Sequence, residues 1–338
     1  MDIRDIARIS GYSLGTVSRV INGHPNVSDR ARERVLEVVA EQGYEPNPNA
    51  KNLKLTTRTS IAVVVKGAHN LLFGEILEHI QNALSAAEES TQIIYIDEDA
   101  NEVQEALRMN RSARFKGIIF LGGVPAHFIE GFSRINVPSV LLTNSGEKLG
   151  FNNLSSFTTD DHAAAADVIE ELYAAGHRSI GIIGGNREPE QIGTLRLEGA
   201  MEALEAHGVE FDVNRDYEPS RFSMKDGYDA MVHLMWRKPD MTAVFALGDA
   251  IAIGAARAAL DMGKTVPGSI SIAGFDGLDT GQFFAPRLTT IHQSVQLLAK
   301  HGVSALLAMI ERPGLPPVHQ TVPYQLYRRE SVRAIKMD

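Results

Sequence analysis

Between residues 60 and 275, short uninterrupted apolar runs alternate with amphipathic stretches, and the alternation runs through twice. The first series holds IAVVV (61–65), QIIYI (92–96), GIIFL (117–121) and SVLL (139–142), with helical patterns near 73–89, 101–113 and 126–134. The second has a helix near 161–175, SIGIIGG (179–185), helices near 190–207 and 223–236, AVFAL (243–247), a helix near 249–262, and SIAGF (271–275). Apolar runs with no polar alternate suit strands buried on both faces, as in parallel sheets covered by helices. The alternation therefore predicts two α/β lobes, each a doubly wound parallel sheet. Ligands of open α/β sheets sit beyond the carboxyl ends of the strands, so two facing lobes place a ligand between them. A helix near 295–310 and one strand near 320–326 follow, and are expected to complete the lobes.

The first 46 residues have a different texture and read as three short helices. Asp2 can cap the first, with Ile3, Ile6, Ala7 and Ile9 inward, and Gly11-Tyr12 breaks it. Ser13 can cap the second, since its hydroxyl can accept an orphan N–H of the first turn. That helix buries Val17, Val20 and Ile21 and shows Thr16, Ser18, Arg19 and Asn22. Gly23-His24-Pro25 ends it. Ser28 can cap a third helix, where Ala31, Val35 and Val38 recur at helical spacing before Gly43. Helix, tight turn, helix and packing helix form a helix-turn-helix arrangement. The prolines of YEPNPNAKNLKLT (44–56) stop the third helix, and residues 49–55 allow only about two turns. That is below the ~12–15 residues an isolated helix needs in water, so the segment reads as a conditional helix inside a linker.

Charge follows the same division. Residues 1–60 carry nine Lys/Arg against seven Asp/Glu, while the rest of a chain of net charge −9 carries 24 against 35. Only the N-terminal segment can meet a polyanion without strong repulsion. There is no cysteine, which excludes disulfides and thiolate metal sites and fits a reducing cytosol. No run of ~18 apolar residues predicts a transmembrane helix, and the charged start MDIRDIARIS is no secretory signal. No metal site is expected, because the eleven histidines show no HExxH or clustered spacing. GIIGG (181–185) lacks GxGxxG, and neither GxxxxGK[ST] nor GxSxG occurs. No cofactor and no enzymatic activity is expected, since no acid, base and nucleophile assemble.

DIARISGYSLGTVSRVINGHPNVSDRARERVLEVVAEQGYEPNPNAKNL (5–53), within a match dense across residues 2–54, resembles the lactose-repressor (LacI/GalR) family of bacterial transcription regulators. The resemblance continues in GHRSIGIIGG (176–185), LRLEGAMEAL (195–204), GDAIAIGAARAALDMG (248–263), VPGSISIAGFDG (266–277) and PRLTTIHQ (286–293), so it covers nearly the whole chain. It implies a helix-turn-helix head (1–46), a hinge helix and linker (47–59), and a periplasmic-binding-protein-like sensor (60–338). Lobe 1 is expected at about 60–158 and 292–320, and lobe 2 at about 159–291 and 321–338.

On this resemblance the second helix enters the DNA major groove. Leu14, Gly15 and Arg19 face base edges, while Thr16, Ser18 and Asn22 hold phosphates, with Asn26 also at the DNA. An Arg fork matches guanine O6 and N7, and hydroxyls suit phosphate oxygens. Gly15 departs from the longer side chains common in the family. Paired hinge helices of a dimer would lie in the minor groove, Leu53 prying open a base step beside Asn49, Ala50 and Lys51. In the sensor, Arg196 and Asp276 match effector-clamping groups, Phe222 a stacking aromatic, Leu72 and Phe73 apolar contacts of the other lobe, and Asp160 and Gln293 the rim. Thr143 stands where an acidic residue is common and Gly248 where an Asn is common; Glu190 and Ile192 replace polar or basic contacts. The two small replacements are expected to leave room for a ligand larger than a monosaccharide.

The expected function is a cytoplasmic, sequence-specific DNA-binding repressor. Its partners would be pseudo-palindromic operator DNA, a small-molecule effector such as a sugar, and a second copy in a homodimer, with no membrane. No leucine heptad follows YQLYRRESVRAIKMD, so a coiled-coil tetramer is not expected. Two competing readings are a sugar-binding protein without a DNA role and a sugar-modifying enzyme. The absent signal speaks against the first and the absent catalytic constellation against the second.

Overall fold

The computed structural model describes residues 3–21, 27–42, 60–67, 70–187 and 191–335. The chain forms two compact units, Met1–Arg58 and Thr59–Asp338.

In the first unit, α1 (Ile3–Ser10), α2 (Leu14–Ile21) and α3 (Asp29–Glu41) surround a small core. Ile6, Val17, Val20, Val35 and Val38 are buried in it, and Ile3, Ile9 and Ile21 pack on its edge. Each such side chain contributes ~1.5–3 kcal/mol when fully buried, so this short core holds only by closing all three helices at once. Gly11 takes φ +74° between α1 and α2, a conformation that costs glycine little. Ser13 Oγ accepts the Thr16 N–H at 3.2 Å, as a cap should. Ser28 differs from expectation: its hydroxyl makes no capping bond. Its carbonyl oxygen accepts the N–H groups of Ala31 and Arg32, both at 3.0 Å. Asp2, Gly23-His24-Pro25, Gly43 and the hinge lie outside the described residues.

The second unit contains two six-stranded sheets with matching winding, β11-β5-β4-β3-β1-β2 and β12-β10-β9-β8-β6-β7. Lobe 1 uses β1 (Ser60–Lys66), β2 (Ser90–Ile96), β3 (Gly117–Leu121), β4 (Ser139–Leu142), β5 (Leu154–Thr159) and β11 (His319–Val322). Lobe 2 uses β6 (Ile180–Ile183), β7 (Tyr217–Glu218), β8 (Ala243–Ala246), β9 (Ser271–Asp276), β10 (Thr289–Gln293) and β12 (Tyr324–Tyr327). All pairings are parallel except β12 on β10, which is antiparallel. Apolar clusters cover both faces of each sheet, which is why the central strands read as unbroken apolar runs.

Three strands escape the sequence reading. β5 (LSSFTT) and β10 (TTIHQ) are rich in Ser and Thr, and β7 has two residues. The single strand expected near 320–326 is two strands, β11 and β12, one in each sheet. Pro323 stands between them, and its missing N–H and fixed φ break the ladder. The chain thus passes between lobes after β5, after β10 and at Pro323. After β5 it enters the helix Asp161–Ala174, buried in lobe 2; after β10 it enters Val295–Glu311, buried in lobe 1. Two of these crossings are bonded together: Thr159 Oγ1 donates to Gln293 Oε1 at 2.9 Å. Leu278, on the loop after β9, is buried in the core of lobe 1.

Candidate nucleic-acid interface and ligand cleft

On α2, Leu14 is 46% exposed, a large apolar side chain left in solvent at the start of a helix whose Val17 and Val20 are buried. Gly15 and Arg19 are exposed, and Thr16 and Ser18 are half-buried. The Thr16 and Ser13 hydroxyls lie 3.0 Å apart. One face of α2 therefore anchors the unit, and the other presents an apolar group, hydroxyls and a guanidinium. Asn22, Asn26, Asn49, Ala50, Lys51 and Leu53 lie outside the described residues.

Between the lobes lies a cavity of about 690 Å³, counting its open mouth. Arg196, on the helix Ile192–Ala206, is only 3% exposed and lines it. Its Nε donates to Asp161 Oδ1 at 2.8 Å, and its Nη1 donates to the Leu247 carbonyl and to Asp276 Oδ1, the latter at 3.4 Å. The guanidinium carbon sits 3.7 Å from the centre of the Phe275 ring and 5.9 Å from that of Phe222. Stacking and charge-assisted bonds hold the fork in one orientation.

Asp276 closes β9 with φ +119°, a backbone conformation unusual for a residue with a side chain. Gln293 Nε2 donates to its Oδ1 at 2.9 Å. Burial pushes its carboxyl up to about 6, against the opposing pull of Arg196. Asp161 is also raised by burial, which Arg196 offsets in part. Behind Asp276, fully buried Asp249 accepts from Thr290 Oγ1 at 2.6 Å and Leu278 N at 2.8 Å. Burial first, then the charge of Asp276, push Asp249 well above the ordinary carboxyl range.

Of the residues expected at the effector, Leu72, Phe73, Thr143, Arg196, Phe222 and Asp276 line the cavity. Leu72 and Phe73 belong to the lobe 1 core as well. Thr143 is 2% exposed, takes φ +72°, and its Oγ1 has no hydrogen-bond partner. A buried hydroxyl left unpaired in a strained residue is costly, and a ligand hydroxyl would satisfy it. Asp160 and Gln293 do not line the cavity. Asp160 is exposed and caps the helix Asp161–Ala174 by accepting Ala163 N–H at 3.0 Å. Gln293 is 1% exposed and acts from behind, tying Asp276 to Thr159 at the crossing. Gly248 does not leave open room. A Cβ there would lie 3.0 Å from Phe222 Cδ1 and 3.3 Å from Asp276 Oδ2, so the aromatic ring fills that space. Ile192 lines the cavity, and Glu190 lies outside the described residues.

The sequence reading missed Lys66, Glu98, Asp161 and Asp249. Lys66 and Glu98 line the cavity. Each follows the apolar stretch of a strand, β1 or β2, so the rule that ligands sit at carboxyl ends could have found them. At the mouth, Arg221 of lobe 2 bonds Asp97 and Asp99 of lobe 1, and Glu98 accepts the Phe222 N–H. No group of three or more His, Asp or Glu side chains able to hold a metal ion occurs among the described residues, nor a helix long and apolar enough to cross a membrane.

Comparison with known proteins gives two family matches. Residues 2–47 match the model of bacterial regulatory proteins of the lacI family, and residues 169–332 match a periplasmic binding protein-like domain. The chain is 34% identical over 338 residues to the HTH-type transcriptional regulator MalR of Clostridium butyricum, covering 98% of this chain and 99% of that one. It is 31% identical to the transcriptional repressor PurR of Proteus mirabilis, covering 91% and 90%. Among solved structures, a complex of the transcriptional regulator CelR with cellobiose is 26% identical with a TM-score of 0.70, covering 98% and 99%. The Lac repressor dimer bound to operator and the anti-inducer ONPF, at 24% identity and TM-score 0.71 over 99% of each chain, shares the fold.

Proposed function

The chain belongs to the lacI family of bacterial regulatory proteins, and on that premise we propose that it is a transcriptional repressor controlled by a sugar bound between its lobes. The observation that carries the effector reading is the Arg196–Asp276 pair. A fixed guanidinium and a carboxylate line one cavity beneath the Phe222 ring. That arrangement suits a ring with adjacent hydroxyls: the fork donates, the carboxylate accepts, and the aromatic covers the apolar face. Relatives support a sugar, since one solved relative is a cellobiose complex and another, a LacI family regulator from Enterococcus faecium at 25% identity, holds ribose.

A homodimer reads a pseudo-palindromic operator, each α2 placing Leu14, Gly15 and Arg19 at base edges and Thr16 and Ser18 at phosphates. The effector shifts DNA affinity only by its differential affinity for two lobe arrangements. The protein works in the cytoplasm and regulates rather than catalyses; its membership of a DNA-binding regulator family supports both points. A gel-shift titration on DNA from beside its own gene, with and without candidate sugars, tests this reading. A two-fold symmetric footprint that responds to a sugar is expected. Tight binding by a monomer to one half-site, or no response to any small molecule, would overturn it.

A further inference from the structure

We infer that the cleft is built to take an uncharged, hydroxyl-rich effector and to turn anionic ones away, with Lys66, held by buried Glu102, as the donor supplied by lobe 1. The inference rests on the reading of the cleft as the effector site.

Lys66 ends β1 and lines the cavity, with its side chain 10% exposed. Its Nζ donates to Glu102 Oε2 at 2.9 Å and to the Ala100 carbonyl. An ammonium has three N–H donors, so one remains for a ligand. Glu102 is fully buried and opens the helix Glu102–Ala113. Its Oε1 accepts Val124 N–H at 2.7 Å, and its Oε2 lies 2.9 Å from His127 Nδ1. A ligand cannot reach this carboxylate, so its charge stays with Lys66. Lobe 2 repeats the device: Arg196 is bonded to Asp161, which is 3% exposed and opens the preceding helix, Asp161–Ala174.

Both cations of the cavity wall are thus matched before a ligand arrives. Glu98 and Asp276 also line the cavity, so among the described residues two lining cations stand against four carboxylates. A phosphate or carboxylate on a ligand would add negative charge to a site with no unmatched cation among its described lining residues to receive it. Hydroxyls meet no such penalty. They can donate to Asp276 and Glu98, accept from Lys66 and the Arg196 fork, and pair with the orphaned Thr143 hydroxyl. Burial already pushes Glu98, Asp161 and Asp276 upward, which is the mark of a site that resists further negative charge.

The test is calorimetry on the full chain. A panel of neutral mono- and disaccharides, cellobiose and ribose among them, is titrated beside the phosphorylated or carboxylate form of each sugar. At least one neutral sugar should bind, and its charged form at least tenfold more weakly. Equal or tighter binding of the charged form overturns this inference while leaving the sugar-controlled regulator standing. Binding of no sugar in either form overturns both. Glu102→Gln, which frees the charge of Lys66, should raise the ratio of anionic to neutral affinity at least fivefold, a ratio that mere loosening of the lobe would not move. Lys66→Met should weaken the neutral sugar about tenfold, with Lys66→Arg restoring part of the loss. If Glu102→Gln does not fold, Lys66→Met decides alone: unchanged affinity for the neutral sugar removes Lys66 from the site.

Discussion

Lobe 1 and lobe 2 wind their strands in the same order, yet they bring different groups to the cavity between them. Lobe 1 offers Leu72 and Phe73 with Lys66, Glu98 and the unpaired Thr143 hydroxyl. Lobe 2 offers Arg196, Asp276 and the Phe222 ring. Each lobe secures its cation with a buried acid at the first residue of a helix, Glu102 or Asp161. The helix N-terminus favours a carboxylate there. The networks differ in what lies behind them. Glu102 is bonded only within lobe 1. In lobe 2, Asp276 connects through Gln293 to Thr159, where the chain crosses between lobes. One topology therefore carries two networks, one confined to lobe 1 and one that reaches the crossing between lobes.

The largest effect that would break this comparison is on stability. Asp161→Asn leaves the Arg196 charge buried with one partner fewer, and removing one member of a buried pair typically costs about 3–5 kcal/mol. Urea denaturation should show a loss of that order. Cutting the exposed Arg257–Asp261 pair, whose side chains are 67% and 36% accessible, should cost under about 1 kcal/mol.

Next comes the effector response. Arg196→Ala or Asp276→Ala should retain operator binding but require at least about tenfold more effector, because each leaves buried polar groups unpaired. Gel shifts beside calorimetry on the same variants separate the two properties. Ligand affinity equal to that of the unchanged protein in both variants would remove the grip from lobe 2.

A pH series probes the same carboxylate. Asp276 is raised from the ordinary Asp range to about 6, so the native state binds its proton more tightly than the unfolded chain does. The sign follows from linkage: between the ordinary Asp range and pH 6, this group lowers stability as pH rises. Effector binding runs the other way. The ionised carboxylate accepts ligand hydroxyls, so affinity should weaken by up to about tenfold per unit as pH falls below 6. An affinity independent of pH from 5 to 8 would show that Asp276 does not contact the ligand.

The smallest effect is expected on the lobe 1 wall. Thr143→Val removes a hydroxyl with no partner in the protein, so thermal stability should hold or rise slightly. Effector affinity should fall about threefold to tenfold if the hydroxyl pairs with a ligand, as titration would show.

Much of this was legible in the sequence because its cause is local. Unbroken runs such as IAVVV and GIIFL could only be strands buried on both faces, and the pattern of Ile6, Val17, Val20, Val35 and Val38 required three helices around one small core. Ser13 capped as its residue type allows, while Ser28, of the same type, did not. β5 and β10 were missed for a related reason. Their Ser and Thr side chains pair with neighbours from distant segments, as Thr159 does with Gln293, and no pattern of local hydrophobicity records that.

The sequence by itself determined the alternation of strands and helices, the polar face of α2 and the residue types Arg196 and Asp276, because periodicity and side-chain chemistry are properties of neighbouring residues. Only the tertiary structure decided that Pro323 splits one apparent strand between two sheets, and that Phe222 occupies the space over Gly248. It also decided that Asp160 caps a helix while Asp161, its neighbour, holds Arg196. Adjacent residues at the start of a helix point in different directions, and which of them meets a guanidinium 35 positions away depends on how two helices pack. Burial then sets the charge. Asp249 and Asp276 are the same residue type, yet one is pushed well above the ordinary range and the other to about 6, by partners and desolvation that exist only once β9 and β10 lie side by side.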